Sequence, residues 1–295
     1  MDTVMIIGAG FMGAGIAQVC LQSGYRVILT DTGEVLTRAG RTMASSLEKF
    51  YLKGGIKEPV ETVLSRLEMI QDLKTALGTA HETGAKLSWV IEAVYEDEAL
   101  KKKILTEVEL QIDTDTLLAT NTSSIPVSRL GSALTRPDQL VGLHFFGPVP
   151  LMGLVEVVRG QQTSEKAFHQ GMDFIKTLGK YPVAVTKDIP GFVMNRVFAA
   201  AFRECQELVD KGVATPEDID AGMRLGYGWH IGPFQIADNA GLDTVLRIKN
   251  SMKALEEDHL YSDSKIIEKM VEKGRLGRKS GQGFYTYDKT LNPSG

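Results

Sequence analysis

The sequence predicts an α/β fold: an N-terminal Rossmann-type, doubly wound sheet followed by a C-terminal all-α domain. Three observations carry this expectation. Short β-branched runs alternate with helical stretches through the first half, a glycine-rich string joins the first run to the first helix, and strand signals stop after Lys187-Asp188-Ile189-Pro190-Gly191. Alternation of this kind implies a largely parallel sheet with helices on both faces.

In order, Val4–Ile7 reads as the first strand, and a helix runs from about Gly13 to Ser23, stopped by Gly24. Arg26–Thr30 is the next strand, and residues 34–53 form a helix. Trp89–Val94 and Leu117–Thr120 are strands, with a charged helix over 96–110 between them. Val141–Phe146 and Leu154–Val158 follow, then a helix near 164–178 and a strand at Val183–Val185. Beyond the Pro-Gly pair, Phe192–Lys211 is one long amphipathic helix, with Phe198, Phe202, Leu208 and Val209 on one side. Thr215-Pro216-Glu217-Asp218 starts another: threonine caps, proline takes the first helical position, and acids fill the first turn. The domain boundary is placed at residue 187, giving domains 1–187 and 188–295. Leu291–Gly295 reads as a disordered tail.

A chain of 295 residues fits two domains of ordinary size. A net charge of −4 argues against a nucleic-acid partner. No apolar run approaches the roughly 18 residues of a membrane helix. Cys20 and Cys205 lie far apart in apolar surroundings, which suits buried free thiols; their positions have no metal-ligand spacing, and no metal is expected. The first strand begins close to Met1, which leads to the expectation of a cytoplasmic protein.

Gly8-Ala9-Gly10-Phe11-Met12-Gly13 is G-x-G-x-x-G. It follows a strand and opens a helix, the context that makes the string a dinucleotide site. Gly8 permits the turn, Gly10 admits a pyrophosphate to the backbone, and Gly13 lets helix and strand pack closely. The helix N-terminus favours the anion. Asp31, ending the second strand, stands where a carboxylate meets ribose hydroxyls and repels a 2′-phosphate, so NAD is favoured. Asp31 also suits a helix cap, and Arg38 and Arg41 leave NADP open.

His144 ends an apolar run, in His144-Phe145-Phe146-Gly147-Pro148, and Glu156 lies within the next, Leu154–Val158. A carboxylate in such a run is costly to bury without a partner. A nearby imidazole supplies one, and the carboxylate would fix its tautomer and stabilise its protonated form. The imidazole then suits removal of an alcohol proton as hydride leaves the carbon. From spacing alone, a structural histidine is an equal alternative.

The whole chain resembles the 3-hydroxyacyl-CoA dehydrogenase family, in particular its short 3-hydroxybutyryl-CoA dehydrogenases. The matching segments run in family order: Gly8–Gly13, Ile91-Glu92-Ala93, Asn121-Thr122-Ser123-Ser124, His144 to Glu156, Pro190 to Arg196, Ile231-Gly232-Pro233-Phe234, Gly241-Leu242-Asp243 and Lys279 to Tyr285. The resemblance implies NAD-dependent, reversible oxidation of an (S)-3-hydroxyacyl-CoA to the 3-ketoacyl-CoA. It implies His144 as the base and Glu156 as its partner. Ser123 is expected to hydrogen-bond the reacting oxygen, and Asn195 to hold the substrate. Glu96, Lys101 and Asn121 are expected at the cofactor, and Lys49 and Lys53 at the CoA phosphates. It also implies an acyl-CoA partner and a homodimer built largely on the second domain.

Read as residues, Ser123 and Asn195 also suit caps, Glu96 suits a helix start, and Lys49 and Lys53 suit a solvated face. Three positions depart from the family pattern: Gly147 stands for asparagine, Gly153 for lysine and His230 for proline, the last read as a loop residue. Two other readings stay open: a related dehydrogenase of a free hydroxy acid or sugar acid, and a non-catalytic NAD-binding protein.

Overall fold

The computed structural model describes residues 2–82, 87–254 and 261–287; the expected tail at Leu291–Gly295 lies outside them. The chain divides into two compact units, Met1–Phe192 and Val193–Gly295. The segment just past residue 187 is tied into the first unit, where the Asp188 carboxylate accepts the Ser128 N–H at 2.6 Å.

The first unit is built on strands β1 (Thr3–Ile7), β2 (Arg26–Thr30), β3 (Leu67–Ile70), β4 (Leu87–Glu92), β5 (Leu117–Thr120), β6 (Leu140–Phe145), β7 (Leu154–Val158) and β8 (Tyr181–Val185). They form one eight-stranded sheet in the order β3-β2-β1-β4-β5-β6-β7-β8. Every pairing is parallel except β6 with β7. Helices α1 (Phe11–Gln22), α2 (Gly33–Leu52), α3 (Val60–Leu64), α4 (Leu73–Glu82), α5 (Glu98–Glu109), α6 (Val127–Gly131) and α7 (Glu165–Thr177) make the connections.

A parallel sheet must be covered on both faces, so its inner strands read as unbroken apolar runs. β1 is buried at every position, as are β5 and β6. β3, absent from the sequence reading, is an edge strand whose burial is only partial. Its Leu-Glu-Met-Ile has a single β-branched residue and an exposed glutamate, which suits an edge and conceals it from pattern reading. From β1 the chain winds outward to β3, then returns to β4 on the other side of β1. The crevice at that reversal, outside the carboxyl ends of the strands, is where doubly wound folds bind ligands.

The second unit is helical: α8 (Met194–Asp210), α9 (Pro216–Tyr227), α10 (Pro233–Ala240), α11 (Leu242–Ala254) and α12 (Ile266–Glu272). Phe202, Cys205, Phe234, Ala237, Leu242 and Ile267 form its core, with Phe198 and Val209 packed against it. The apolar side of α8 is thus in large part a core face. Thr215 caps α9 by accepting the Asp218 N–H, with Pro216 in the first turn. Two buried carboxylates tie the unit together. Asp220 accepts the N–H of Phe234 and the hydroxyl of Tyr285, while Asp238 accepts the N–H groups of Phe284 and Tyr285. Cys20 and Cys205 are free and buried, and burial, the largest influence on Cys205, pushes its thiol up to about 11.

Candidate active site

The glycine-rich loop leaves β1 at its carboxyl end. A Cβ on Gly13 would stand 1.7 Å from the Gly8 carbonyl oxygen, and one on Gly8 would stand 2.6 Å from the Ala93 oxygen, so neither position has room for a side chain. Gly10 is different: nothing lies within 4 Å of where its Cβ would be. Helix α1 begins there with no side-chain cap and no acid in its first turn. Uncapped N–H groups at a helix start suit a pyrophosphate. The Asp31 carboxylate sits beside the loop, accepting the Ala9 N–H at 2.7 Å and the Thr32 N–H at 2.6 Å. Thr32, not Asp31, is the N-cap of α2. These residues fit a dinucleotide whose ribose lies by a carboxylate.

At the end of β4 and just beyond it, three charged side chains share one cluster. Glu92 is fully buried and Lys101 is 1% exposed. The Lys101 ammonium donates to Glu92 Oε1 at 2.8 Å and lies 3.3 Å from Glu96 Oε2. The other Glu92 oxygen accepts the Thr120 hydroxyl at 2.6 Å. Glu96 reaches across to the turn after β5, where it accepts the Thr122 hydroxyl at 2.7 Å and the N–H groups of Ser123 and Ser124 at 2.8 and 2.9 Å. Burial is the largest single influence on Glu96 and pushes its pKa up. The Lys101 charge and the hydrogen bonds from Thr122, Ser123 and Ser124 outweigh it and hold the carboxyl below its ordinary value. Asp97 caps α5, so Glu96 is not a helix cap.

β6 carries the histidine and antiparallel β7 the glutamate. The register sets His144 directly opposite Glu156. The imidazole Nδ1 lies 2.7 Å from Glu156 Oε2, with the histidine 6% exposed and the glutamate fully buried. With Glu156 ionised, its carboxylate only accepts, so Nδ1 would carry the hydrogen and Nε2 would be left as the proton acceptor. Phe146 and Phe192 flank the ring at 4.5 and 5.6 Å between centroids. The end of β6 is held by the Asn121 side chain, which accepts the Phe145 N–H at 2.9 Å. The turn into β7 is held by Lys180, whose ammonium donates to the carbonyls of Val149 and Met152 at 2.7 and 2.6 Å. Burial lowers the Lys180 pKa from its usual value.

The structure therefore gathers Gly8–Gly13, Asp31, Glu96, Asn121, Ser123 and His144 at the carboxyl ends of β1, β2, β4, β5 and β6, which run parallel. Lys49 and Lys53 are elsewhere. Lys49 is in the last turn of α2 and Lys53 is its C-cap, both exposed, with no acidic partner among the described residues. Asn195 stands in the first turn of α8 of the second unit, half-buried. His230 is exposed in the bend between α9 and α10. Neither Glu92 nor Lys180 is among the site residues expected from the sequence. Glu92 closes the apolar run Leu-Ser-Trp-Val-Ile, and the costly-carboxylate argument applied to Glu156 would have found it. Nothing local marks Lys180.

Fold and site define an NAD-dependent oxidoreductase of the doubly wound class. The model of the 3-hydroxyacyl-CoA dehydrogenase NAD-binding domain matches residues 3–189, and that of the 3-hydroxyacyl-CoA dehydrogenase C-terminal domain matches 191–287. The chain belongs to the 3-hydroxyacyl-CoA dehydrogenase family. It is 41% identical over 283 residues to a probable 3-hydroxybutyryl-CoA dehydrogenase of Deinococcus radiodurans, covering 96% of this chain and 99% of the relative. It is 39% identical over 292 residues to the mitochondrial hydroxyacyl-coenzyme A dehydrogenase of Mus musculus, covering 96% and 90%. Among solved structures, the (S)-3-hydroxybutyryl-CoA dehydrogenase PaaH1 from Ralstonia eutropha superposes with a TM-score of 0.87 at 37% identity, covering 98% of this chain and all of that one.

Proposed function

We propose that the protein oxidises (S)-3-hydroxyacyl-CoA, with 3-hydroxybutyryl-CoA as a substrate, reversibly to the 3-ketoacyl-CoA. The observation that carries this reading is the buried cross-strand pair of His144 and Glu156 at the same sheet edge as the dinucleotide loop. The relatives' names supply the substrate class.

In this reading NAD, when bound, accepts hydride in one direction and, as NADH, donates it in the other. The Gly8–Gly13 backbone would hold the pyrophosphate and Asp31 the ribose, with Glu96 and Asn121 beside the cofactor and the buried Lys101 acting through Glu96. His144 Nε2 takes the hydroxyl proton in oxidation and returns it to the ketone oxygen in reduction. Glu156 keeps Nδ1 as the donor, so Nε2 faces the substrate as an acceptor, and it stabilises the imidazolium that forms. The Ser123 hydroxyl, which donates to Glu96 at 3.2 Å in this structure, turns to the reacting oxygen when substrate is bound. Asn195 holds the substrate, and Lys49 and Lys53 meet the CoA phosphates. The working assembly is a homodimer through the second unit, in the cytoplasm. No helix among the described residues is long and apolar enough to cross a membrane.

The test is NADH oxidation with acetoacetyl-CoA, followed by absorbance, beside NADPH and beside free acetoacetate. Rapid turnover of the thioester with NADH supports the reading. Turnover of the free acid in preference to the thioester would replace the substrate class. A monomeric mass in solution would refute the dimer.

A further inference from the structure

Phe11, the first residue of α1, is 72% exposed although it is a large apolar side chain. Its ring is not idle. A Cβ built on Gly147 would stand 2.5 Å from Phe11 Cε1 and 3.4 Å from Met12 Sδ. Phe11, at a variable position of the dinucleotide fingerprint, thus fills the space that a side chain at 147 would occupy, with Met12 at ordinary contact distance. Position 147 in turn lies three residues beyond His144. The contact joins the phosphate-binding turn to the end of the strand that carries the proposed base.

We propose that Phe11 is a positioning residue matched to Gly147: its ring rests where Gly147 has no side chain, and any side chain at 147 drives that ring onto the dinucleotide site. The proposal rests on the cofactor reading above. Its physical basis is which partner yields. The 145–152 segment is pinned at both ends, by Asn121 on the Phe145 N–H and by Lys180 on the Val149 and Met152 carbonyls. The phenylalanine, mostly in solvent, is the soft side of the contact. The Cα–Cβ bond of a helical residue tilts toward the helix N-terminus, and Phe11 is the first residue of α1. A ring displaced from Gly147 therefore stays at the N-terminal end of α1, where the pyrophosphate needs open N–H groups. Three residues beyond the base, the chain departs from the asparagine of the family pattern, and the departure is linked to the phenylalanine at position 11.

The experiment is a cycle of four proteins: wild type, Phe11→Ala, Gly147→Ala and the double variant. NADH affinity is read by fluorescence titration, and melting temperature is read without cofactor. Gly147→Ala should weaken NADH binding at least about tenfold with Phe11 present and less than about threefold in the Phe11→Ala background, because the smaller side chain leaves room for the new Cβ. It should lower the cofactor-free melting temperature only where Phe11 is retained. If Gly147→Ala alone fails to fold while the double variant folds, the ring does not yield to the new side chain, and the proposal is overturned. Equal losses in both backgrounds, no loss in either, or failure of both to fold would overturn the proposal. A wild type that does not bind NADH would fail the cofactor reading instead, and the pair would then be decided by the melting cycle alone.

Discussion

His144 and Ser123 reach the same edge of the sheet by different means. His144 is the penultimate residue of a fully buried strand, and its partner Glu156 is delivered by cross-strand register. A one-residue slip between β6 and β7 would send every side chain to the opposite face, so the same apolar pattern that builds the core also fixes the pair. Ser123 sits in a turn, and its backbone is held by one carboxylate, Glu96, held in turn by the buried Lys101. The strand pair is rigid because the core is rigid. The turn is only as fixed as a charge cluster makes it.

The predictions test that difference, beginning with the strand pair. Replacing His144 with alanine should lower kcat by roughly 10²–10⁴, the range for a general acid–base group, in steady-state NADH oxidation. A folded variant with near-normal turnover would end the assignment of the base. Next, Lys101→Met leaves Glu92 buried and unpaired, which should cost about 3–5 kcal/mol. Calorimetry would detect a melting temperature lower by several degrees. An unchanged melting temperature would mean that the cluster does not hold the turn.

Glu96→Gln should have a smaller effect with a distinctive pH signature. The native pKa of Glu96 lies below its ordinary value of 4.5. Its stabilisation is therefore complete at neutral pH and is lost as pH falls below that value, through the native pKa. At pH 7 the variant should melt lower than wild type and turn over several-fold more slowly. The gap in melting temperature should close in acid, when wild-type Glu96 is itself protonated; a gap independent of pH would refute the ionised clamp. The smallest effect is expected far from both regions. Removing Lys49 and Lys53 together should raise KM for acetoacetyl-CoA several-fold and leave KM for free acetoacetate unchanged, and equal changes would rule out CoA contacts there.

The same contrast explains what was legible in the sequence. The fingerprint, the strands that carry His144 and Glu156, and the cap at Thr215-Pro216 are local signals, and each appears where the chain predicts it. The edge strand β3 was not legible, because a short strand with two exposed positions has no apolar run to announce it. Lys101 reads as one more lysine in a charged helix, yet it is among the most buried side chains of the protein. Glu96 reads as a helix-start acid, yet it acts on a turn 27 residues away in sequence. Lys180 and the Phe11–Gly147 contact belong to the same class. In each case the partner comes from a distant part of the chain, and no periodicity encodes it.

In the proposed mechanism His144 and Glu156 act as one unit. The most direct test is a double-substitution cycle in kcat with His144→Ala, Glu156→Gln and both together, each protein checked for folding by its melting curve. Groups that work as a unit are strongly non-additive. Glu156→Gln should slow wild type at least about tenfold, since an amide can favour the wrong tautomer, and should slow His144→Ala by less than about twofold. Losses that multiply, with Glu156→Gln costing the same factor whether or not the histidine is present, would contradict the mechanism.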